Sequence, residues 1–424
     1  MKHVIIGNGP AGVVAAETIR RRRPQDDIVM IGDEPHPAYS RMAIPYLLIG
    51  NIDERGTYLR KDPKHFESLR IRCETGSVSA IETDVKKVRL AEGPSFEYDR
   101  VLIATGSSPV APPIPGLDSP FVHPCWTLHD ARNILALARP GARVLQMGAG
   151  FIGCIILEAL AQRGVKLTVV EMGDRMVPRM MGSGAGGMIK AWCEKKGIRV
   201  KTSTRVQAIE PASPVRARFS DGTVEEFDLV IQATGVRPNI GFLAGSPIKA
   251  LQGVLTDERM QTSVPGIYAA GDCAEAYDPL TKQTIVSAIQ PNAVDQGYVA
   301  AVNMSGGDAT ASVVTQINVL DTLGLVSTSF GQWQGVPGGE HVEINDPAGF
   351  RYLRLEFDRD VLIGANSLGM TEHVGVLRGL VEGGVKLGDW KDRLLKDPTR
   401  LMEAYLASAQ AQESFQGRSR GTVR

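Results

Sequence analysis

His3-Val4-Ile5-Ile6, Gly7-Asn8-Gly9-Pro10-Ala11-Gly12 and Val13-Val14-Ala15-Ala16 form one unbroken stretch in which an apolar strand runs through a glycine turn into a helix. The spacing is G-x-G-x-x-G, and each glycine answers a separate physical demand. Gly7 permits the tight turn, Gly9 lets the backbone approach a pyrophosphate, and Gly12 lets helix and strand pack closely. The helix N-terminus supplies unpaired N–H groups and a positive dipole end for the phosphates. Such a fold calls for an acid about 20 residues further on, to hold a ribose hydroxyl. The second strand, Ile28-Val29-Met30-Ile31-Gly32, ends at Asp33-Glu34.

A chain of 424 residues is too long for one hydrophobic core and reads as several domains. Its 47 basic and 47 acidic side chains cancel, so bulk charge points to neither nucleic acid nor an anionic membrane. Met1 leads almost directly into the first strand, and no apolar run approaches the roughly 18 residues of a membrane span. These features predict a cytoplasmic protein. Cys73, Cys125, Cys154, Cys193 and Cys273 are scattered, with no C-x-x-C pair for iron–sulfur or zinc, so metal chemistry would belong to a partner.

The first helix closes on Arg20-Arg21-Arg22-Arg23-Pro24, which reads either as a solvated C-terminus complementing the helix dipole or as a set of phosphate contacts. The segment Tyr39-Ser40-Arg41-Met42-Ala43-Ile44-Pro45-Tyr46 then resembles the Tyr-x-Arg-Pro-x-Leu that follows the second strand in FAD-dependent pyridine nucleotide reductases, the family of rubredoxin and ferredoxin reductases, apoptosis-inducing factor and nitrite reductase NADH domains. The resemblance implies FAD at the first turn, with Arg41 near its pyrophosphate and Asp33 and Glu34 at the adenosine ribose. A planar guanidinium suits a diphosphate, although an arginine solvated in a loop is the plainer reading. Coenzyme A disulfide reductases and NADH peroxidases look like Cys-Gly-x-Pro-Tyr here, whereas this chain has Met42. A thioether forms neither thiolate nor disulfide, so a thiol relay through this position is excluded. Met42 reads as a packing residue.

Further on, 77–81, 87–90 and 96–99 alternate like an antiparallel ribbon, which contributes Val78 to the expected FAD contacts. The buried strand Arg100-Val101-Leu102-Ile103 leads into Ala104-Thr105-Gly106-Ser107-Ser108-Pro109, close to the family's Ala-Thr-Gly turn beside the dinucleotide. Pro109 to Gly116 reads as a rigid linker. The opening device then recurs. Arg143-Val144-Leu145-Gln146-Met147 is a strand, Gly148-Ala149-Gly150-Phe151-Ile152-Gly153 the turn, and Lys166-Leu167-Thr168-Val169-Val170-Glu171 the next strand with its acid. Glu171 would accept from both hydroxyls of a ribose and repel a 2′-phosphate, which argues for NAD(H), while Arg175 leaves NADPH open. Where many relatives carry glutamate beside the nicotinamide, this chain has Ile155.

A second Ala233-Thr234-Gly235 marks the return to the first domain, and Tyr268-Ala269-Ala270-Gly271-Asp272-Cys273 resembles the family's Gly-Asp motif. By that resemblance Asp272 accepts from the ribityl hydroxyls. Cys273 reads as a packing thiol, with a redox role as the alternative. Pro291-Asn292-Ala293-Val294-Asp295-Gln296-Gly297 resembles the helix start facing the flavin pyrimidine, where a dipole stabilises negative charge. The expected FAD set is therefore Gly7, Gly9, Pro10, Ala11, Gly12, Asp33, Glu34, Arg41, Val78, Ala104, Thr105, Gly106, Gly271, Asp272, Asn292 and Ala293. The expected NAD set is Gly148, Gly150, Phe151, Ile152, Gly153, Glu171 and Gly235. No metal ligands are expected.

The fold expected is α/β, with two Rossmann-like dinucleotide-binding domains of glutathione reductase type and an α+β C-terminal interface domain. Residues 1–110 and 239–310 make the FAD domain, 111–238 the NAD domain, 311–385 the interface domain, with alternating strands expected at 313–320, 325–330, 341–344, 352–357 and 361–368 and a helix at 375–382, and 386–424 a helical tail. The function implied is hydride exchange between nicotinamide and flavin, with single electrons passed to or from an iron–sulfur protein or subunit. Overall likeness and the missing cysteine resemble the FAD subunits of phenylglyoxylate dehydrogenase-type 2-oxoacid oxidoreductases, which would run toward NADH. A free-standing rubredoxin or ferredoxin reductase, and a nucleotide-sensing flavoprotein with an assembly role, stand as alternatives. A homo-oligomer or a subunit of a larger complex is expected, without nucleic acid or membrane.

Overall fold

The computed structural model describes residues 1–278, 282–311 and 317–411. Two compact units divide the chain: Met1–Val110 with Pro124–Asn133 and Gly235–Val314, and Ala111–His123 with Ile134–Thr234 and Thr315–Arg424.

In the first unit, β-branched runs form a five-stranded sheet ordered Ile267–Ala269, Arg100–Ile103, Lys2–Ile6, Asp27–Gly32, Ile71–Thr75, every neighbour parallel. Both faces are covered, as near-continuous apolar strands require: Val4, Ile5, Val101, Leu102 and Ile103 are at most 1% exposed. Burying each such side chain is worth about 2 kcal/mol. Strand order reverses on either side of Lys2–Ile6, so the Gly7–Gly12 turn opens at the topological switch point where α/β sheets bind ligands. The helix Pro10–Arg22 starts with proline at its first turn and packs on Gln290–Met304, where a Cβ on Gly297 would fall 2.5 Å from the Ala11 carbonyl oxygen. The ribbon is present as Val78–Glu82, Lys87–Leu90 and Ser95–Glu97.

One expectation about the arginine run is corrected. Arg20 is not solvated but 8% exposed, and its guanidinium donates to the carbonyls of Leu69, Arg23, Pro24, Asp26 and Arg70 at 2.7–3.4 Å. It ties the helix end to a loop some 50 residues away, and burial lowers its pKa. Arg23 donates to the Ser305 carbonyl at 2.9 Å. Arg22 and Arg23 are exposed, as the solvated reading requires.

The second unit repeats the plan with parallel strands in the order Arg199–Lys201, Lys166–Val170, Arg143–Met147, Leu229–Gln232. An antiparallel meander, Val206–Glu210, Val215–Phe219 and Val224–Phe227, packs on this core. The C-terminal sheet is antiparallel, ordered Ile317–Thr322, Leu325–Gly331, Val361–Leu368, Arg351–Asp358, Glu340–Asp346, with the helix Val374–Gly383 against it. The expected strand from Val313 begins, and the tail toward Arg424 ends, outside the described residues; within them the tail forms helices Asp389–Lys396 and Leu401–Ala411. Asn366 docks this sheet, donating to the Met180 carbonyl at 3.1 Å and accepting from Gly182 N–H at 3.3 Å.

Candidate functional site

Two glycine turns organise the sites. At the first, Gly7 has φ +116°, and a methyl there would meet the Ala104 carbonyl oxygen at 2.0 Å; one on Gly12 would meet the Gly7 carbonyl oxygen at 2.0 Å. Gly9 differs, because a Cβ there has no protein atom within 4 Å. Its lack of a side chain is thus not required by the protein's own packing. Open space above a helix N-terminus, with no capping side chain, is what a pyrophosphate needs, and the cradle fits FAD in this respect.

Around this turn the structure gathers residues from distant parts of the chain. Gly271, at φ +79°, is placed so that a Cβ would lie 3.3 Å from that of Ala293 and 3.5 Å from that of Ala11. Its N–H donates to the buried Gln296 side chain at 2.8 Å. Thr105 Oγ1 donates to the Asn239 carbonyl at 2.7 Å, and Asn239 donates back to the Thr105 carbonyl at 3.0 Å, which fixes the Thr105–Gly106 turn. Asp272 accepts from the Ser107 hydroxyl at 2.7 Å. Burial pushes its carboxyl above the usual range, against the pull of that hydrogen bond and of the Arg41 charge. Asn292 donates to the Ser287 hydroxyl, and Val78 packs at the margin of the core.

Beside the second strand the two acids separate. Asp33 is exposed, while Glu34 accepts from Tyr39 Oη at 2.7 Å and Arg41 Nη2 at 2.9 Å. Burial, and then Glu34, raises the Tyr39 hydroxyl well above its usual pKa. Met42, 52% exposed, sits on the short turn Arg41–Ala43. Cys273 is fully buried, its thiol raised by burial and directed at the carbonyls of Ile103 and Ala270, as packing predicts. All five cysteines are free, and burial pushes Cys125 up to about 12.

At the second turn Gly148 has φ +102° with the Ala233 carbonyl oxygen 2.3 Å from a would-be Cβ, Gly153 faces the Gly148 carbonyl oxygen at 2.6 Å, and Gly150 again has nothing within 4 Å. Glu171 accepts from Ala149 N–H and Gly173 N–H, both at 2.8 Å, which holds its carboxylate beside the turn. Gln146, fully buried, donates to the carbonyls of Gly148 and Gly153, a brace that sequence reasoning missed. Arg175 is committed elsewhere, donating to the Met181 carbonyl and to Asp174. Phe151 and Ile152 open the helix Phe151–Gln162 half-buried. Gly235, expected at this second site, clusters with the first unit, where its carbonyl accepts from Val110 N–H. The stretch Pro124–Asn133, expected in the NAD domain, clusters there too. Among the described residues no helix is long and apolar enough to cross a membrane, and no cluster of His, Cys, Asp and Glu could hold a metal.

Comparison with known proteins follows the same outline. The pyridine nucleotide-disulphide oxidoreductase profile matches residues 1–297. The epsilon subunit of NADH-dependent phenylglyoxylate dehydrogenase from Aromatoleum evansii is 30% identical over 401 residues, 94% of this chain and 95% of that one. An NADH oxidase from Methanocaldococcus jannaschii is 36% identical over 346 residues, 78% of this chain and 77% of its own. Among solved structures, the covalent putidaredoxin reductase–putidaredoxin complex superposes with a TM-score of 0.88 at 22% identity, covering 97% of this chain and 99% of that one, a likeness of fold.

Proposed function

Because the chain belongs to the pyridine nucleotide-disulphide oxidoreductase family, we propose that it is an FAD-dependent NAD(H) oxidoreductase exchanging hydride with nicotinamide and single electrons with an iron–sulfur partner, as the NAD-reducing subunit of a 2-oxoacid dehydrogenase complex of phenylglyoxylate type. One observation carries the reading: two strand–turn–helix units with open space above Gly9 and Gly150, in a chain whose cysteines are all unpaired and whose family-cysteine position is Met42. The near full-length match to an epsilon subunit supports the complex-bound form. Five unbridged thiols suit a cytoplasmic setting.

FAD would supply, when bound, a centre that takes up electrons singly and passes them on in pairs as a hydride. The chain's residues bind and orient. Ala11 and Gly12 offer N–H groups to the pyrophosphate, Arg41 adds charge, Asp272 accepts from the ribityl chain, and Asn292 and Ala293 begin the helix whose dipole favours added negative charge. Glu171 accepts from the NAD ribose. Arg175, spent on Met181 and Asp174, offers a 2′-phosphate little, which supports NADH over NADPH. The higher identity to an NADH oxidase favours a second reading, a free-standing NADH-consuming reductase.

Stopped-flow reduction separates the two. The complex-bound reading expects flavin bleaching by a reduced iron–sulfur protein in well under a second and by NADH far more slowly; fast bleaching by NADH with no response to the iron–sulfur donor overturns it. Purified protein without flavin absorbance, and unable to bind added FAD, overturns both.

A further inference from the structure

We propose that Trp126 is a positioning residue of the FAD cradle, holding Arg41 and the Ser107–Asp272 pair in register; this rests on the reading that Arg41 faces FAD. Arg41 is a long side chain on a three-residue turn, 37% exposed, and such a group has many rotamers unless something fixes it. Here its guanidinium carbon lies 5.4 Å from the Trp126 ring centroid and 5.8 Å from that of Tyr39. Nη1 donates to the Trp126 carbonyl at 3.0 Å and Nη2 to Glu34 at 2.9 Å. Two of the five N–H donors are thereby used to set direction, and three remain for a ligand's oxygens. The indole Nε1–H of the same tryptophan donates to the Ser107 carbonyl at 2.9 Å, and the Ser107 hydroxyl donates to Asp272 at 2.7 Å. One side chain therefore touches the proposed pyrophosphate ligand and the strand that carries the partner of the proposed ribityl ligand.

The segment bearing Trp126 is itself fixed. Thr127 Oγ1 accepts from Asp130 N–H at 3.1 Å, while the buried Asp130 carboxylate accepts from Thr127 N–H and from Trp126 N–H at 2.8 and 3.2 Å. This reciprocal cap starts the helix Leu128–Leu137 and anchors the tryptophan backbone whose carbonyl Arg41 uses. Pro124–Asn133 clusters with the first unit although the residues on either side of it do not. A tryptophan acting through an arginine in this way preorganises the site and spares the ordering cost when the ligand binds.

The test is a double-mutant cycle on flavin-stripped protein, read as the FAD dissociation constant by flavin fluorescence quenching, with the melting temperature of each apo variant alongside. Arg41→Ala and Trp126→Ala are each expected to weaken FAD about tenfold. The double variant should bind within about twofold of the weaker single, because the two act as one unit. Trp126→Phe, which keeps a ring over Arg41 but loses the N–H to Ser107, should recover only the part of the loss that runs through Arg41. Additive losses, or wild-type affinity in Trp126→Ala when Arg41→Ala is weak, overturn the positioning role. Wild-type affinity in Arg41→Ala overturns instead the reading of Arg41 beneath it. Should Trp126→Ala melt below the assay temperature, Trp126→Leu takes its place in the cycle, filling the space without an aromatic face.

Discussion

Gly9→Ala and Gly12→Ala change the same turn by one methyl each and should fail in different ways. At Gly12 the new Cβ lies 2.0 Å from the Gly7 carbonyl oxygen, and real contacts do not fall below 3.0 Å, so the turn must open by about 1 Å. Overpacking of this kind costs about 1–3 kcal/mol, or roughly 3–10 °C in the melting temperature of the flavin-stripped protein. At Gly9 the Cβ meets nothing within 4 Å, and the backbone, at φ −73° and ψ −174°, suits alanine. The stripped Gly9→Ala protein should therefore melt within about 1 °C of wild type, or slightly above it, since alanine has less unfolded-state freedom to lose. Its FAD affinity should still drop by tenfold or more, as the methyl occupies the approach to the pyrophosphate. Scanning calorimetry on stripped protein, then flavin titration, reads both quantities. If Gly9→Ala lowers apo stability as much as Gly12→Ala, or binds FAD normally, the space above Gly9 is not where the nucleotide lies.

The corresponding Gly150→Ala should raise the KM for NADH with little change in melting temperature or flavin content, measured by steady-state kinetics. Asp272→Asn should stabilise the flavin-free protein near neutral pH while weakening FAD. The raised carboxyl pKa means that its favourable, protonated form is fully present below the usual carboxylate range and is lost as pH rises through the folded value, so the gain in melting temperature of the variant over wild type should be larger at pH 7 than at pH 4. Glu171→Ala removes the acceptor of two backbone N–H groups and should cut kcat/KM for NADH about tenfold, with NADPH still below the original NADH value because Arg175 stays committed; initial rates with both nucleotides check this. Arg20→Met strands several carbonyls and should cost about 3–5 kcal/mol in urea denaturation.

What could be read from the chain alone was whatever is local. The two glycine turns, their strands and their acids lie within about 30 residues each, and period-two alternation placed the C-terminal strands close to where they form, as with Arg351–Asp358 and Val361–Leu368. What stayed hidden is set by distant pairing. Trp126 meets Arg41 across 85 residues, Ser107 meets Asp272 across 165, and Asn239 meets Thr105 across 134. No periodicity encodes such meetings. The Thr127-x-x-Asp130 cap was a local signal that could have marked Trp126 as anchored. Arg20 illustrates the converse error: four arginines in a row read as solvated, since the run does not reveal that Leu69 and Arg70 cover one of them.

The order of strands in the first sheet also governs the protein's birth. Ile267–Ala269 is the outer neighbour of Arg100–Ile103, whose Val101, Leu102 and Ile103 are otherwise a bare apolar edge. Some 160 residues must be translated before that edge is covered, roughly 8–30 s at about 5–20 residues per second. Over that interval the half-made sheet offers unpaired backbone to any neighbouring chain, and Gly271 and Ala293 have yet to join the first turn. Slower growth temperature or added holdase chaperone should therefore raise the yield of flavin-loaded protein more than added riboflavin does.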